Sequence, residues 1–360
     1  MKRFFLLTLA SAALLGASAA PVKTYEVKSP DGRLALVLTA GERLSFTVAR
    51  DGETLVAPSE MALTLSTGEV LGESPRVRSA RRRAVNETID APLYRQSRFD
   101  AAYNELDLRL RGDYGVLARA YDDGVCYRFY TERDGELTIV DETAQLNFEG
   151  DPSAYIPYSK TKIPMRTSFE NTYEYAPLSK FRTQTVAFMP VLVDLGERGY
   201  VLYTESDVEA YPGVYLTYDK EARGFAARFA EYPTETSLTK RFQDVVERSA
   251  DYIARVDGRR SYPWRIVAYA ATVTELPVND MVWQTAEASR VADASWVRDG
   301  KIAWDWWNNW GVYGVDFKSG INTETYKYFI DFAAANGIEY VALDEGWGVR
   351  DGDVMHVVPE

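Results

Sequence analysis

From Tyr25 to about Ala271 apolar and polar residues alternate with a period of two, and beyond Pro277 that alternation stops. A period of two puts successive side chains on opposite faces of a strand, so one face enters a core while the other meets water. Leu34-Ala-Leu-Val-Leu-Thr leads to Leu44-Ser-Phe-Thr-Val across the Gly41 turn, and Asn104-Glu-Leu-Asp-Leu-Arg-Leu-Arg alternates without a break. Val116–Tyr121 and Val125–Tyr130 flank an Asp122-Asp-Gly turn, and Val191–Leu195 and Tyr200–Thr204 flank Glu197-Arg-Gly199. These are hairpin signals. Many short strands with turn punctuation predict a large two-sheet sandwich over residues 20–277.

After Pro277 the pattern predicts a helix from Asn279 to about Val291. Lys301-Ile-Ala-Trp-Asp-Trp then reads as a strand, and Gly311, Gly314 and Gly320 punctuate the loop that follows. Asn322 is a suitable N-cap, Tyr326, Phe329, Ile330, Ala333 and Ala334 recur at helical spacing, and Gly337 ends the helix. Ile338–Leu343 is a second, largely apolar strand. Strand, helix and apolar strand in that order predict a parallel pair covered by helices over residues 278–360. A parallel two-strand fragment cannot bury both of its faces, so the expectation is a fragment of a longer protein.

The N-terminus carries Lys2 and Arg3, an apolar run from Phe4 to Ala17, and Ala17-Ser-Ala19 as a small-x-small cleavage pattern. These predict a signal peptide over residues 1–19 and export, with the periplasm as destination. The apolar run is shorter than the roughly 20 residues that a bilayer span needs. Loss of the peptide takes the formal charge from −12 to −14, which argues against nucleic acid and anionic membranes as partners. Cys126 is the single cysteine, so an intramolecular disulfide is excluded. His356 is the single histidine and lies near the chain end; Cys126 therefore reads as a buried structural thiol.

Chemistry concentrates in Trp304-Asp-Trp-Trp-Asn-Asn-Trp310 and in Leu343-Asp-Glu-Gly-Trp347. Each falls at or just past the C-terminal end of a predicted parallel strand, the rim where β/α barrels bind ligands. Asp344 and Glu345 offer acceptors for sugar hydroxyls, Asn308 offers an amide, and Trp306 and Trp347 offer flat faces for a sugar ring. Trp307 and Trp310 share that capacity. The plainer alternatives are packing beneath the rim for the tryptophans and a solvated strand end for the acids.

The two runs, with Gly320–Val341 between them, resemble glycoside hydrolase family 97. Ser29-Pro-Asp-Gly32, Asp122–Phe129 and Thr204–Leu216 extend the resemblance over the mature chain. It implies a mostly β chain, in which a large N-terminal β-super-sandwich is followed by the first strands and helix of a (β/α)8 barrel, truncated here. It implies an exo-acting α-galactosidase or α-glucosidase that takes an oligosaccharide with a terminal α-linked hexose, and its wording leans toward the retaining branch. The family's acid and its nucleophile or base come from later barrel strands, so no catalytic residue is assigned. It also implies a calcium ion, with Glu170 as the ligand donated by the sandwich and Glu174 as runner-up. The competing reading is a non-catalytic carbohydrate-binding β-sandwich protein.

Overall fold

The computed structural model describes residues 22–360 except 92, 161–164, 167–168, 170, 239–243, 345 and 347–360. Two compact units emerge: Met1–Tyr232 with Ala250–Glu287, and Pro233–Ser249 with Ala288–Glu360.

The first unit is the β-sandwich that the alternation predicts. Leu34–Ala40 pairs with Leu44–Arg50, Tyr114–Tyr121 turns through Asp122 and Asp123 into Gly124–Asn147, and Val191–Asp194 pairs with Tyr200–Ser206. Within Arg98–Leu110 the apolar residues Leu106, Leu108 and Leu110 point inward and are buried. They join a core that also holds Leu36, Phe46, Val116, Tyr127 and Phe225.

Glu53–Leu65, Val77–Asp90 and Arg98–Leu110 are longer than the short strands expected, and one element departs furthest. Gly124–Asn147 runs 24 residues without a break, several times the usual strand length. Its start pairs with Trp264–Ala270, its middle with Ala254–Ser261, and its end with Glu53–Leu65 and Gly224–Phe229. The strand therefore belongs to more than one sheet. Its pairing with Ala254–Ser261 carries a register shift between Asp257 and Arg259. Gly135 lies in the left-handed region there (φ 78°), and a Cβ on Gly258 opposite would come within 2.6 Å of the Arg133 carbonyl oxygen. Only glycine satisfies both positions.

Charge is buried along this strand as well. Arg265, fully buried, donates to both oxygens of Glu142 (2.9 and 2.7 Å) and to Glu205 (2.5 Å). Cys126 is buried as expected, and burial pushes its thiol up to about 12, which removes it as a nucleophile.

The helix expected over 279–291 is shorter, Met281–Thr285. Met281 is buried against Trp264, Ile266 and Ala268. Thr285 shares a 2.7 Å hydrogen bond with Ser206, and the Glu287 amide donates to Asp207 (3.0 Å). The helix ends there, with Ala286 in extended conformation.

The second unit contains an exposed hairpin, Pro233–Leu238 with Asp244–Ser249, and a β/α/β element. In the latter, Ile302–Trp304 and Tyr340–Ala342 are parallel and the helix Thr323–Ala335 connects them. Among the described residues no helix is long and apolar enough to cross a membrane.

Asp123 supplies a test of this packing. It lies against Asn279, whose amide donates to its carboxylate (3.0 Å) and to its carbonyl (3.2 Å). Burial, reinforced by Asp280 and Asp122, pushes its pKa up to about 6. A native pKa above the unfolded one means that the folded protein holds the extra proton, so this stability is complete at low pH and is lost as pH rises through 6. Asp123→Asn should therefore be more stable than the parent at pH 8 by about 1–3 kcal/mol, with the two converging as pH falls toward 4. Urea unfolding across that range measures it, and a difference independent of pH would contradict it.

Candidate functional site

The rim of the parallel pair is built by its first strand and the turn that follows. Ala303 and Asp305 point inward and are buried, while Ile302 and Trp304 point outward. Asp305–Asn308 then winds into a single 3₁₀ turn. Asn309 and Trp310 both adopt left-handed conformations (φ 55° and 54°), and the Trp310 amide closes the loop onto the Asp305 carbonyl at 2.9 Å. Two consecutive non-glycine residues there are strained, and strain of this kind gathers at functional sites.

That turn raises a small aromatic cluster at the strand end. Trp304 lies 5.2 Å from Trp306 and 6.3 Å from Trp307, with interplanar angles of 36° and 30°. Trp306 is 48% exposed and Trp307 is 80% exposed, so both present ring faces to solvent. Asp344 stands across from them, two residues beyond the second strand. Its carboxylate accepts the Trp304 indole N–H (2.8 Å), and its backbone amide donates to Asp305 Oδ1 (3.1 Å). Aromatic faces beside a fixed carboxylate suit a ring that is apolar on its C–H face and hydroxylated at its edge.

The connecting helix holds the rim in place. Asn322 Oδ1 accepts the Thr325 amide at 2.9 Å, and the Thr325 hydroxyl accepts from the Gly320 amide at 3.0 Å. Gly337, with φ 63°, follows the helix end. The buried Tyr326 hydroxyl has its pKa raised by burial first and then by Asp305 and Asp344, which places it in the field of both carboxylates. Gly346 adopts φ 101°, and a Cβ there would meet Ile321 at 2.7 Å, so the motif requires glycine at that position.

Of the residues that the sequence nominated, Trp306 and Asp344 come together here. Asn308 is exposed and donates its side-chain N–H to the Gly311 carbonyl, which stabilises its own loop. Glu345 and Trp347 lie outside the described residues, as does Glu170. Glu174 begins the edge strand Glu174–Pro177 and is ion-paired with Arg182 at 2.7 Å. Among the described residues no group of three Asp, Glu, His or Cys side chains could hold a metal ion. Sequence reasoning passed over Trp304 and Asp305 as site residues. Both stand in the nominated motif, and the outward–inward alternation of its strand distinguishes their roles.

The chain matches the family model described as Glycosyl-hydrolase 97 N-terminal over residues 27–287 and that described as Glycoside hydrolase 97 over 306–360. A retaining alpha-galactosidase of Bacteroides thetaiotaomicron is 41% identical over 347 residues, covering 94% of this chain and 52% of that protein. A probable retaining alpha-galactosidase of Streptomyces bingchenggensis is 30% identical over 325 residues, covering 88% and 45%. The structure of a glycoside hydrolase family 97 enzyme from Pseudoalteromonas sp. strain K8 in complex with acarbose shares the fold (TM-score 0.73, 19% identity, 91% of this chain and 48% of that one). The chain spans about half the length of these curated relatives.

The Asn322 cap should be measurable by itself. Asn322→Ala should cost about 0.5–2 kcal/mol of stability in the β/α/β element, whereas Asn322→Asp should cost less because the acceptor is kept. Hydrogen exchange along Thr323–Ala335 reads it, and equal protection in Asn322→Ala and the parent would refute the cap.

Proposed function

The chain belongs to glycoside hydrolase family 97, and on that footing we propose that the protein is an exported, exo-acting retaining α-galactosidase acting on oligosaccharides with a terminal α-linked hexose. The observation that carries the proposal is the rim. Trp306 and Trp307 offer exposed ring faces next to Asp344, whose carboxylate is held by the Trp304 indole N–H at 2.8 Å. The sugar's C–H face would stack on the tryptophans while Asp344, with Glu345 beside it in sequence, accepts hydroxyls. The two relatives named as retaining alpha-galactosidases favour galactose over glucose and retention over inversion.

Retention requires two carboxyl groups about 5–5.5 Å apart, one protonating the leaving oxygen and one attacking the anomeric carbon. That pair is expected on barrel strands that follow Tyr340–Ala342, so Asp344 binds sugar in this reading and performs neither step. Export rests on Lys2, Arg3 and the Phe4–Ala17 run, which lie outside the described residues.

Calcium stands on the family resemblance alone. Calcium takes six to eight oxygen ligands, and the described residues do not assemble them; Glu174 is engaged by Arg182. Glu170 is the remaining candidate from the sandwich. If it is a ligand, a chelator should abolish activity, calcium should restore it, and Glu170→Gln should weaken the rescue. Activity indifferent to chelator would remove calcium from the account.

The protein expressed from its complete gene should hydrolyse p-nitrophenyl α-galactoside and release α-galactose first, as followed by proton NMR. The β-anomer appearing first would exclude retention, and no turnover of α-galactoside or α-glucoside would exclude the hydrolase. Asp344→Ala should lower kcat/KM about 10-fold or more, the equivalent of one charge-assisted hydrogen bond of roughly 1.5–3 kcal/mol. Unchanged kinetics would return Asp344 to a solvated strand end.

A further inference from the structure

Asp344 is gripped at two points by consecutive residues of the neighbouring strand end. Trp304, on the outward face, donates its indole N–H to the Asp344 carboxylate at 2.8 Å. Asp305, on the inward face and fully buried, accepts the Asp344 backbone amide at 3.1 Å. One contact sets the direction of the carboxylate, and the other sets the height of the main chain that carries it. Parallel register alone leaves both undetermined, because pairing stops at Trp304 and Ala342, two residues short of Asp344.

We propose that Trp304 and Asp305 are positioning residues for sugar recognition, acting through Asp344 rather than on the sugar. The proposal rests on the reading of Asp344 as a hydroxyl acceptor. A carboxylate on a strand end is otherwise free to rotate, and ordering it on binding costs affinity that a pre-formed hydrogen bond avoids. The indole N–H is a pure donor with no acceptor capacity, so it holds one carboxylate oxygen and does not itself compete for the sugar's hydroxyl protons. Trp304 also packs beside Trp306 and Trp307. The stacking surface and the hydroxyl acceptor are thereby set at a fixed mutual spacing by one side chain.

Asp305 has a different task. Its Oδ1 accepts the half-buried Asp344 amide beyond the end of strand pairing, and removing that acceptor is destabilising. The same aspartate begins the 3₁₀ turn that carries Trp306, and its carbonyl receives the Trp310 amide. Side chain and main chain of Asp305 thus tie the aromatic turn to the acidic strand end.

A double-mutant cycle in the protein expressed from its complete gene tests this, with p-nitrophenyl α-galactoside as probe. Trp304→Phe keeps an aromatic ring and removes the donor. It should raise KM about 10-fold with kcat within about twofold, because binding common to ground and transition states is lost. In the Asp344→Ala background the same change should cost less than about twofold, since residues acting through one another are not additive. An equal factor in both backgrounds would overturn the proposal. Asp305→Ala should follow Trp304→Phe, and Asp305→Asn, which retains an oxygen acceptor, should recover most of the loss. Amide exchange at Asp344 separates this claim from the hydrolase reading. It should quicken at least about 10-fold in Asp305→Ala and not in Asp305→Asn, the factor expected for losing one hydrogen bond of about 1.4 kcal/mol. An unmutated protein that turns over no α-glycoside would defeat the hydrolase reading alone; unchanged Asp344 exchange in Asp305→Ala would defeat the Asp305 hold whatever the activity.

Discussion

The sandwich depends on one buried guanidinium. Arg265 is directly opposite Glu205 on the adjacent strand, and its other ladder partner is Tyr127 at the start of the 24-residue strand. Glu142, near the far end of that same strand, closes on Arg265 through two hydrogen bonds. Two stretches of one strand are thus joined through a third element. Burial opposes the charge on Arg265, yet Glu142 and Glu205 hold its pKa well above the ordinary value; burial raises that of Glu205. Such a cluster contributes little net stability when whole, but loss of one partner costs about 3–5 kcal/mol because it strands a charge in the core. That asymmetry makes any other path of the long strand expensive. Neighbouring groups follow the same logic: Trp264 has Arg119 at 4.7 Å and Arg128 at 4.4 Å from its ring, and Glu105 joins Arg83 to Arg119.

The last segment of the first unit inherits this order. Trp264, Ile266 and Ala268 receive Met281, Ser206 binds Thr285, and Asp207 receives the Glu287 amide. The segment that the alternation pattern leaves unassigned is therefore fastened residue by residue. In the β/α/β element a comparable economy operates over a few residues. Trp304 and Asp305 tie Asp344 to the aromatic turn, and the Asn322 cap sets the start of the helix. In the first region Met281 is anchored in an apolar cluster, and directed polar contacts add to it; at the rim, directed polar contacts at the strand ends set the local geometry.

Much of this was legible in the residues. Period-two alternation with turn punctuation located the hairpins at Gly41, Asp122 and Glu197, and Asn322 and Gly337 bracketed the helix. The length of Gly124–Asn147 was not legible, because Asp134-Gly135 reads locally as a turn and only the facing Gly258 makes it a bulge. The helix after Pro277 was overestimated because Ala286 is already extended and the Glu287 amide is taken by Asp207, a long-range contact without local signature. At the rim, residue type pointed to Asp344 and Trp306. Asp305 was missed because an aspartate among tryptophans reads as a surface acid, and only the inward phase of its strand shows that it is buried.

The central claim is that the rim of Trp306, Trp307 and Asp344 receives the terminal sugar. A crystal of the complete gene product soaked with D-galactose tests it most directly. The account predicts one pyranose with hydroxyls within hydrogen-bonding distance of the Asp344 carboxylate and its C–H face on Trp306 or Trp307. Galactose ordered elsewhere on the protein, with the rim bare, would contradict it.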